Sequence, residues 1–242
     1  MPLAIISFFG DSRTAPVSDA DLKRAWKLAQ SVVPEGSKVE ARALDRTFLH
    51  MRYPKPDGAP EVKLNDPASL PPPIAAGAIT VWMDDALDNV ELKTQQTAKA
   101  LHEALSARTT GTFDARRHLD RVGNGTTPTL QALAVVERRP DLDRDTFMQY
   151  YRTHHVPLAK SLKPRFVRYT TFRLLERIGD FPGDCVTLQE YPSLDELLTH
   201  LTTRTAKNDT AGDDIGNFIA QLVYNIGERT LVQSETLTDK RG

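Results

Sequence analysis

The chain has 242 residues, 40% of them hydrophobic and 26% charged, with 31 basic and 32 acidic side chains for a formal net charge of -1. That composition argues against wholesale disorder, and the even charge balance leaves no global electrostatic case for nucleic acid or an anionic membrane. The single cysteine, Cys185, excludes an intrachain disulfide and any Cys–Cys metal framework.

Leu3 to Phe9 is a short apolar run closed by Gly10 and reads as a buried strand. It lacks a basic n-region, so a strand is expected here and not a signal peptide. No segment approaches the ~20 apolar residues that span a bilayer, and the expected location is cytoplasmic. Ser18 and Asp21 resemble a capping box. The helix after them carries Leu22, Ala25, Trp26, Ala29 and Val33 at helical spacing, and Gly36 stops it. Lys38 to Phe48 alternates and predicts a strand. Residues 53–73 hold seven prolines and predict a loop unable to join a regular ladder. Ala78 to Met83 predicts a strand. Glu91 to Ala107 predicts a helix with Leu92, Ala98, Leu101 and Leu105 along one side. A fourth strand is expected near Thr112 to His118.

The second half follows the same order. Leu130 to Val136 is apolar at nearly every position, which suits a sheet buried on both faces. Asp145 to about Leu162 predicts a helix. Phe166 to Leu175 and Cys185 to Glu190 predict strands. Ser193 caps a helix carrying Leu194, Leu197, Leu198 and Leu201. Gly212 to Leu222 reads as an extra helix and Glu228 to Val232 as a last strand. The fold class is therefore α+β, with β-α-β-β-α-β occurring twice, the ferredoxin-like pattern. The boundary falls at Val122–Pro128, giving an N-terminal unit over 1–122 and a C-terminal unit over 129–242. Cys185 lies in the apolar run Cys185-Val186-Thr187-Leu188 and reads as a buried structural thiol.

One stretch concentrates chemistry: Phe147-Met148-Gln149-Tyr150-Tyr151-Arg152-Thr153-His154-His155-Val156-Pro157-Leu158-Ala159. On a helix, Tyr151 and His155 are neighbours on one face, with Met148, Leu158 and Leu162 nearby. Pro157 should loosen the helix and free a carbonyl near residue 153. An imidazole moves protons near pH 7, and a phenol beside it can orient it or donate to an oxyanion. An apolar helix face is also the ordinary home of a core histidine bonded to a carbonyl, so spacing alone does not decide. His154 points elsewhere, toward the surface. Tyr169 faces either the cavity or the outer helices, and Arg168 must face the opposite way.

The same stretch resembles the signature of EthD-domain proteins of the dimeric α/β-barrel superfamily: Phe, an aromatic pair, then His-x-Pro-Leu-Ala. Tyr151 stands where the family usually has Trp. Arg168-Tyr169 resembles the family's Arg-Tyr at its second strand. Asp214 with Asn217-Phe218 resembles its acidic-aromatic segment before the last strand. The resemblance covers residues 129–235. It implies two ferredoxin-like sheets packed edge to edge into a barrel, here from one chain, with a ligand cavity between a sheet and its helices.

The expected function is a cofactor-free enzyme moving protons on a small apolar oxygenated molecule, an isomerase, cyclase, dehydratase or decarboxylase. His155 is the acid/base and Tyr151 or Tyr169 its partner. Phe147, Met148, Leu158 and Phe218 are expected to line the substrate. The alternatives are a non-catalytic carrier or accessory protein and, more remotely, a haem protein with His155 as axial ligand. No two of the six histidines have His-x-x-x-His spacing, and no Gly-rich phosphate loop occurs, so neither a metal nor another cofactor is expected. The expected assembly is a monomer with an internal pseudo-dimer, or a homodimer.

Overall fold

The computed structural model describes residues 2–11, 16–53, 61–64, 68–121, 128–161, 165–206 and 214–232. The linker expected at Val122–Thr127, and Leu162, lie outside the described residues. The first half runs β1 (Leu3–Phe9), α1 (Asp19–Val32), β2 (Lys38–Ala43), β3 (Arg46–Arg52), β4 (Glu61–Leu64), β5 (Gly77–Trp82), α2 (Val90–Ala104) and β6 (Thr109–Asp120). The second runs β7 (Leu130–Arg138), α3 (Arg144–Tyr150), a π turn (Tyr151–His155), α4 (Val156–Ser161), β8 (Arg168–Gly179), β9 (Cys185–Tyr191), α5 (Leu194–Ala206), β10 (Ile219–Gly227) and β11 (Thr230–Val232).

Among the described residues the strands join one 11-stranded sheet in the order β11-β2-β5-β1-β6-β8-β9-β7-β10-β3-β4. Within each half the last strand lies beside the first, then the third, then the second: β6-β1-β5-β2 and β10-β7-β9-β8. That is the ferredoxin-like arrangement. The halves meet where β6 pairs with β8 and where β3 pairs with β10. Only Leu44 and Asp45 separate β2 from β3, so the two ends of the sheet are joined through one bent strand and the sheet closes into a barrel. Closure of this kind pairs most strands on both sides and leaves only the short strands β11 and β4 at the ends of the sheet order.

The closing corner explains why Lys38 to Phe48 is two strands instead of the expected one. Ala43 is still bonded to Arg229, and Leu44 to Ala76, but the Asp45 N–H donates to Ile226 on β10 at 2.8 Å. The Asp45 carboxylate accepts from Arg229 at 2.6 Å. Gly227 makes this crossing possible, since a Cβ there would stand 1.9 Å from the Ala43 carbonyl oxygen. Gly227→Ala is expected to destabilise by about 1–3 kcal/mol through overpacking. Urea unfolding should show a lower midpoint at unchanged slope; an unchanged midpoint would mean that the corner tolerates the methyl group.

Three packed layers follow from strand alternation. Ala4, Ile6, Phe8, Phe113, Phe172 and Val186 fill the barrel. Ile5, Val39, Ile79 and Val81 meet α1 and α2 with Leu22, Ala25, Ala29, Ala98 and Leu101. Ala132, Ala134, Tyr169, Cys185 and Tyr224 meet the helices of the second half with Phe147, Tyr151 and Leu197. Ser18 caps α1 as expected, its hydroxyl accepting from Asp21 N–H at 3.1 Å and donating to the Asp21 carboxylate at 2.7 Å. Trp26 packs partly buried against its layer. Cys185 is fully buried, and burial pushes its thiol up to about 12.

Three expectations need correction. Leu92 is 54% exposed; α2 instead buries Thr94, Thr97, Ala98 and Leu101. That stripe holds one helical face, whereas Leu92 lies off it. The proline-rich stretch does contribute a ladder, because Glu61–Leu64 pairs with β3 at the sheet's edge, where partners are needed on one side only. The described part of Gly212–Leu222 is helical only at Asp214 and Ile215. It makes one turn after Asp214 and then enters β10. Alternation decides it: Leu222 and Tyr224 join the helix-side core, and Leu222 and Val223 pair with Val136 and Val135 of β7.

Candidate functional site

The helix expected over Asp145–Leu162 starts where Asp143 caps it, accepting from the backbone N–H of Asp145 and Thr146, each at 2.9 Å. It is not continuous. Pro157 has no N–H to give to residue 153, and the chain relaxes one turn earlier into a π turn, in which Val156 N–H donates to the Tyr151 carbonyl. The expected loosening is thus present, spread over Tyr151–His155. The wider turn seats both Tyr151 and His155 in the buried layer, 4% and 5% exposed, with ring centroids 5.2 Å apart.

His155 has a hydrogen-bond partner in the acidic residue of the segment before the last strand. Its Nδ1 lies 3.1 Å from Asp214 Oδ2, and the other carboxylate oxygen of Asp214 accepts from the Tyr150 hydroxyl at 2.5 Å. Burial pushes the Asp214 carboxyl up. The hydrogen bonds from His155 and Tyr150 more than offset this and hold it below the ordinary carboxylate range. The same bond to Asp214, together with burial, raises the Tyr150 phenol. At neutral pH the group beside His155 is therefore an anion. An Asp that accepts from Nδ1–H leaves the basic lone pair of the ring on Nε2.

Phe218 follows Asp214 by one tight turn and packs against four rings of this cluster: His155 (5.1 Å), Tyr150 and Tyr151 (both 5.3 Å) and Phe147 (5.9 Å). Phe147 and Met148 are buried in the same layer. Leu158 stays half-buried on α4. His154 is exposed and stacks on Tyr150 at 4.8 Å.

Tyr169 settles on the helix side of β8. Its hydroxyl is 3.0 Å from that of Tyr151. Burial, then the neighbouring Tyr169, raises the Tyr151 phenol well above its ordinary value, so it stays protonated. Arg168 faces the barrel interior as alternation requires, bonded to Glu190 at 2.7 Å.

Sequence reading missed two further residues. His118 sits on β6 of the first half, where the register slips between Arg117 and Leu119. Such a bulge re-aims a side chain. Here it brings the His118 ring to 5.7 Å from that of Tyr169 and Nε2 to 2.8 Å from the Thr171 hydroxyl. Burial, with the cations Arg116, Arg152 and Lys160, lowers His118 to about 4, so it is neutral at pH 7. Arg152, on the π turn itself, reaches Asp114 of β6 at 2.8 Å. No local motif signals either contact, because each joins residues from different halves of the chain.

Comparison with known proteins adds three findings. Residues 139–221 match the family profile of the EthD domain. No curated protein matches the chain. Among solved structures, an anthrone oxidase-like protein superposes with a TM-score of 0.56 at 11% identity, covering 98% of this chain and 95% of that one. At that identity it speaks for the fold alone. A protein assigned as a monooxygenase from Fusobacterium nucleatum subsp. nucleatum (TM-score 0.45, 11% identity, 95% and 93% covered) and one assigned as a chlorite dismutase (0.40, 14%, 93% and 95%) are more distant.

Proposed function

With an EthD domain at residues 139–221 as the premise, we propose that the chain is an enzyme that removes or returns a proton next to a carbonyl in a small, mostly apolar molecule. The observation that carries this is the His155 Nδ1–Asp214 contact of 3.1 Å inside a ring of aromatic side chains. A buried imidazole oriented by an anion is a positioned general base, and such groups contribute about 10²–10⁴-fold to proton transfer. Nε2 takes the proton, and Asp214 stabilises the imidazolium that forms. The Tyr151–Tyr169 pair supplies hydroxyls for a developing enolate oxygen. Phe147, Met148, Leu158 and Phe218 supply the apolar surroundings. The whole apparatus uses side chains only.

We also read the two halves as repeats of one unit, on the strength of their shared strand order. On that reading the pairing that two chains supply in a dimeric barrel is internal to this one, and the chain acts as a monomer.

The test follows hydrogen exchange, which needs no oxidant or cofactor. Anthrone, named after the structural neighbour, has a methylene activated by its carbonyl and serves as first probe beside a panel of aryl ketones and lactones. Under nitrogen in D₂O, the wild-type protein should accelerate loss of the activated C–H signal for at least one member. His155→Ala should abolish the acceleration while keeping the wild-type circular dichroism spectrum. Acceleration equal to wild type in that variant would remove His155 from the mechanism. A wild-type protein that binds panel members and exchanges none would favour a carrier.

A further inference from the structure

Tyr53 and Leu64 of the proline-rich stretch pack against the cluster around Phe147, Tyr151 and Phe218, but its described C-terminal end lies elsewhere. Pro71, Pro72 and Ile74 form one wall of a cavity of about 220 Å³ at one mouth of the barrel, with His50, Val135 and Val223 opposite. The inner face of β7 marks the barrel axis in four steps, Gln131, Leu133, Val135 and Glu137. At the first step Gln131 accepts from Arg42 at 2.7 Å and donates to Glu190 at 2.7 Å. Arg42 also donates to Thr80 and Glu40. That network closes one end. In the middle, Phe8, Phe113, Phe172 and Phe181 pack with centroids 5.7 to 6.2 Å apart. The filling stops at Val135, and the cavity lies between Val135 and the rim residue Glu137.

Its lining has a defined chemistry. His50 pairs across the ladder with Val223, and Val223 with Val135, so the three side chains share the inner face. The prolines present apolar rings and no N–H donor. His50 Nε2 is buried and has no hydrogen-bond partner among the described residues. A buried polar atom of that kind is costly until something pairs with it. An apolar cavity of about 150 Å³ holds benzene, so this one fits a single ring with a substituent. It is smaller than the roughly 300–1,000 Å³ of pockets for larger ligands. Glu137 is exposed at the rim and repels an anion.

We propose that this mouth is a second small-molecule site, separate from His155, for a neutral monocyclic molecule whose one hydroxyl or carbonyl pairs with His50. The apolar ring fills the space between Val135, Val223 and the two prolines. The polar group satisfies Nε2.

The probe is 4-fluorophenol, titrated with the full chain and followed by ¹⁹F NMR. Wild type should give a saturable shift, and Val223→Trp, which fills the cavity, should abolish it. His50→Ala should weaken binding about fivefold, the scale of one hydrogen bond. His155→Ala should leave binding unchanged, which separates this result from the fate of the exchange assay. A fluorine-to-proton Overhauser contact with the His50 ring should appear in wild type, and it decides the matter even if Val223→Trp does not fold. No saturable shift, wild-type binding in a folded Val223→Trp, no Overhauser contact to His50, or loss of binding in His155→Ala would each overturn the proposal.

Discussion

Asp214→Asn should leave the chain folded and slow the exchange reaction by about 10²–10⁴-fold, the range of a general base lost. Wild-type Asp214 accepts from His155 Nδ1 at 3.1 Å and from Tyr150 at 2.5 Å. An asparagine amide can turn its NH₂ toward Nδ1, which moves the ring proton to Nε2 and blocks the nitrogen that must act as base. The ¹⁵N spectrum of the His155 ring should report that tautomer switch, which a merely structural role for Asp214 would not produce. Wild-type exchange in Asp214→Asn, or no switch, would dismiss the dyad.

The pH dependence has a defined sign. The folded pKa of Asp214 is depressed below its unfolded value, which is about 3.9. The carboxylate therefore contributes stability above about pH 4, and that contribution is lost as pH falls through the lower, folded pKa. Tyr150→Phe removes one of the hydrogen bonds that lower it. In that variant the acid loss should begin at a higher pH than in wild type, as followed by circular dichroism during acid titration.

Strands β1, β5, β7, β8 and β9 were legible because each has a short apolar or β-branched run bounded by turn residues. The motif around His155 was legible because its spacing is local. What escaped is what depends on partners far along the chain. Asp214 lies 59 residues from His155, so its segment stood out while its contact to the imidazole did not. Gly212–Leu222 reads as helical throughout, and Ile219–Leu222 becomes strand only when the β7 ladder is present to accept Leu222 and Tyr224. The break at Leu44–Asp45 marks a change of neighbour from β5 to β10, and no propensity encodes a change of neighbour. Pro157 announced a loosened helix. Whether it opens as a kink or a π turn depends on the packing of Tyr151 and His155 against β8 and Phe218, which local sequence does not carry.

The largest effect on stability is expected where the site is tied to the other half of the barrel. Arg152 leaves the π turn beside His155 and gives two hydrogen bonds to Asp114 of β6, at 2.8 Å to the carboxylate and 3.0 Å to the carbonyl. The Asp114 and Arg152 side chains are 4% and 11% exposed. Removing one partner of a buried pair strands the other charge and costs about 3–5 kcal/mol. The two single variants should differ, because Arg173 also stands 3.5 Å from the Asp114 carboxylate. Arg152→Met leaves Asp114 with Arg173 and should cost the smaller amount. Asp114→Leu leaves both guanidinium groups without that anion, although Arg173 keeps Asp145 at 2.9 Å, and should cost the larger. The double variant replaces the pair by apolar groups and should be more stable than Asp114→Leu alone, since desolvating the ions no longer opposes folding. Urea unfolding of the three variants measures this as a double-mutant cycle. Strictly additive costs would show that Arg152 and Asp114 do not act as a pair, and the π turn would then be held by aromatic packing alone.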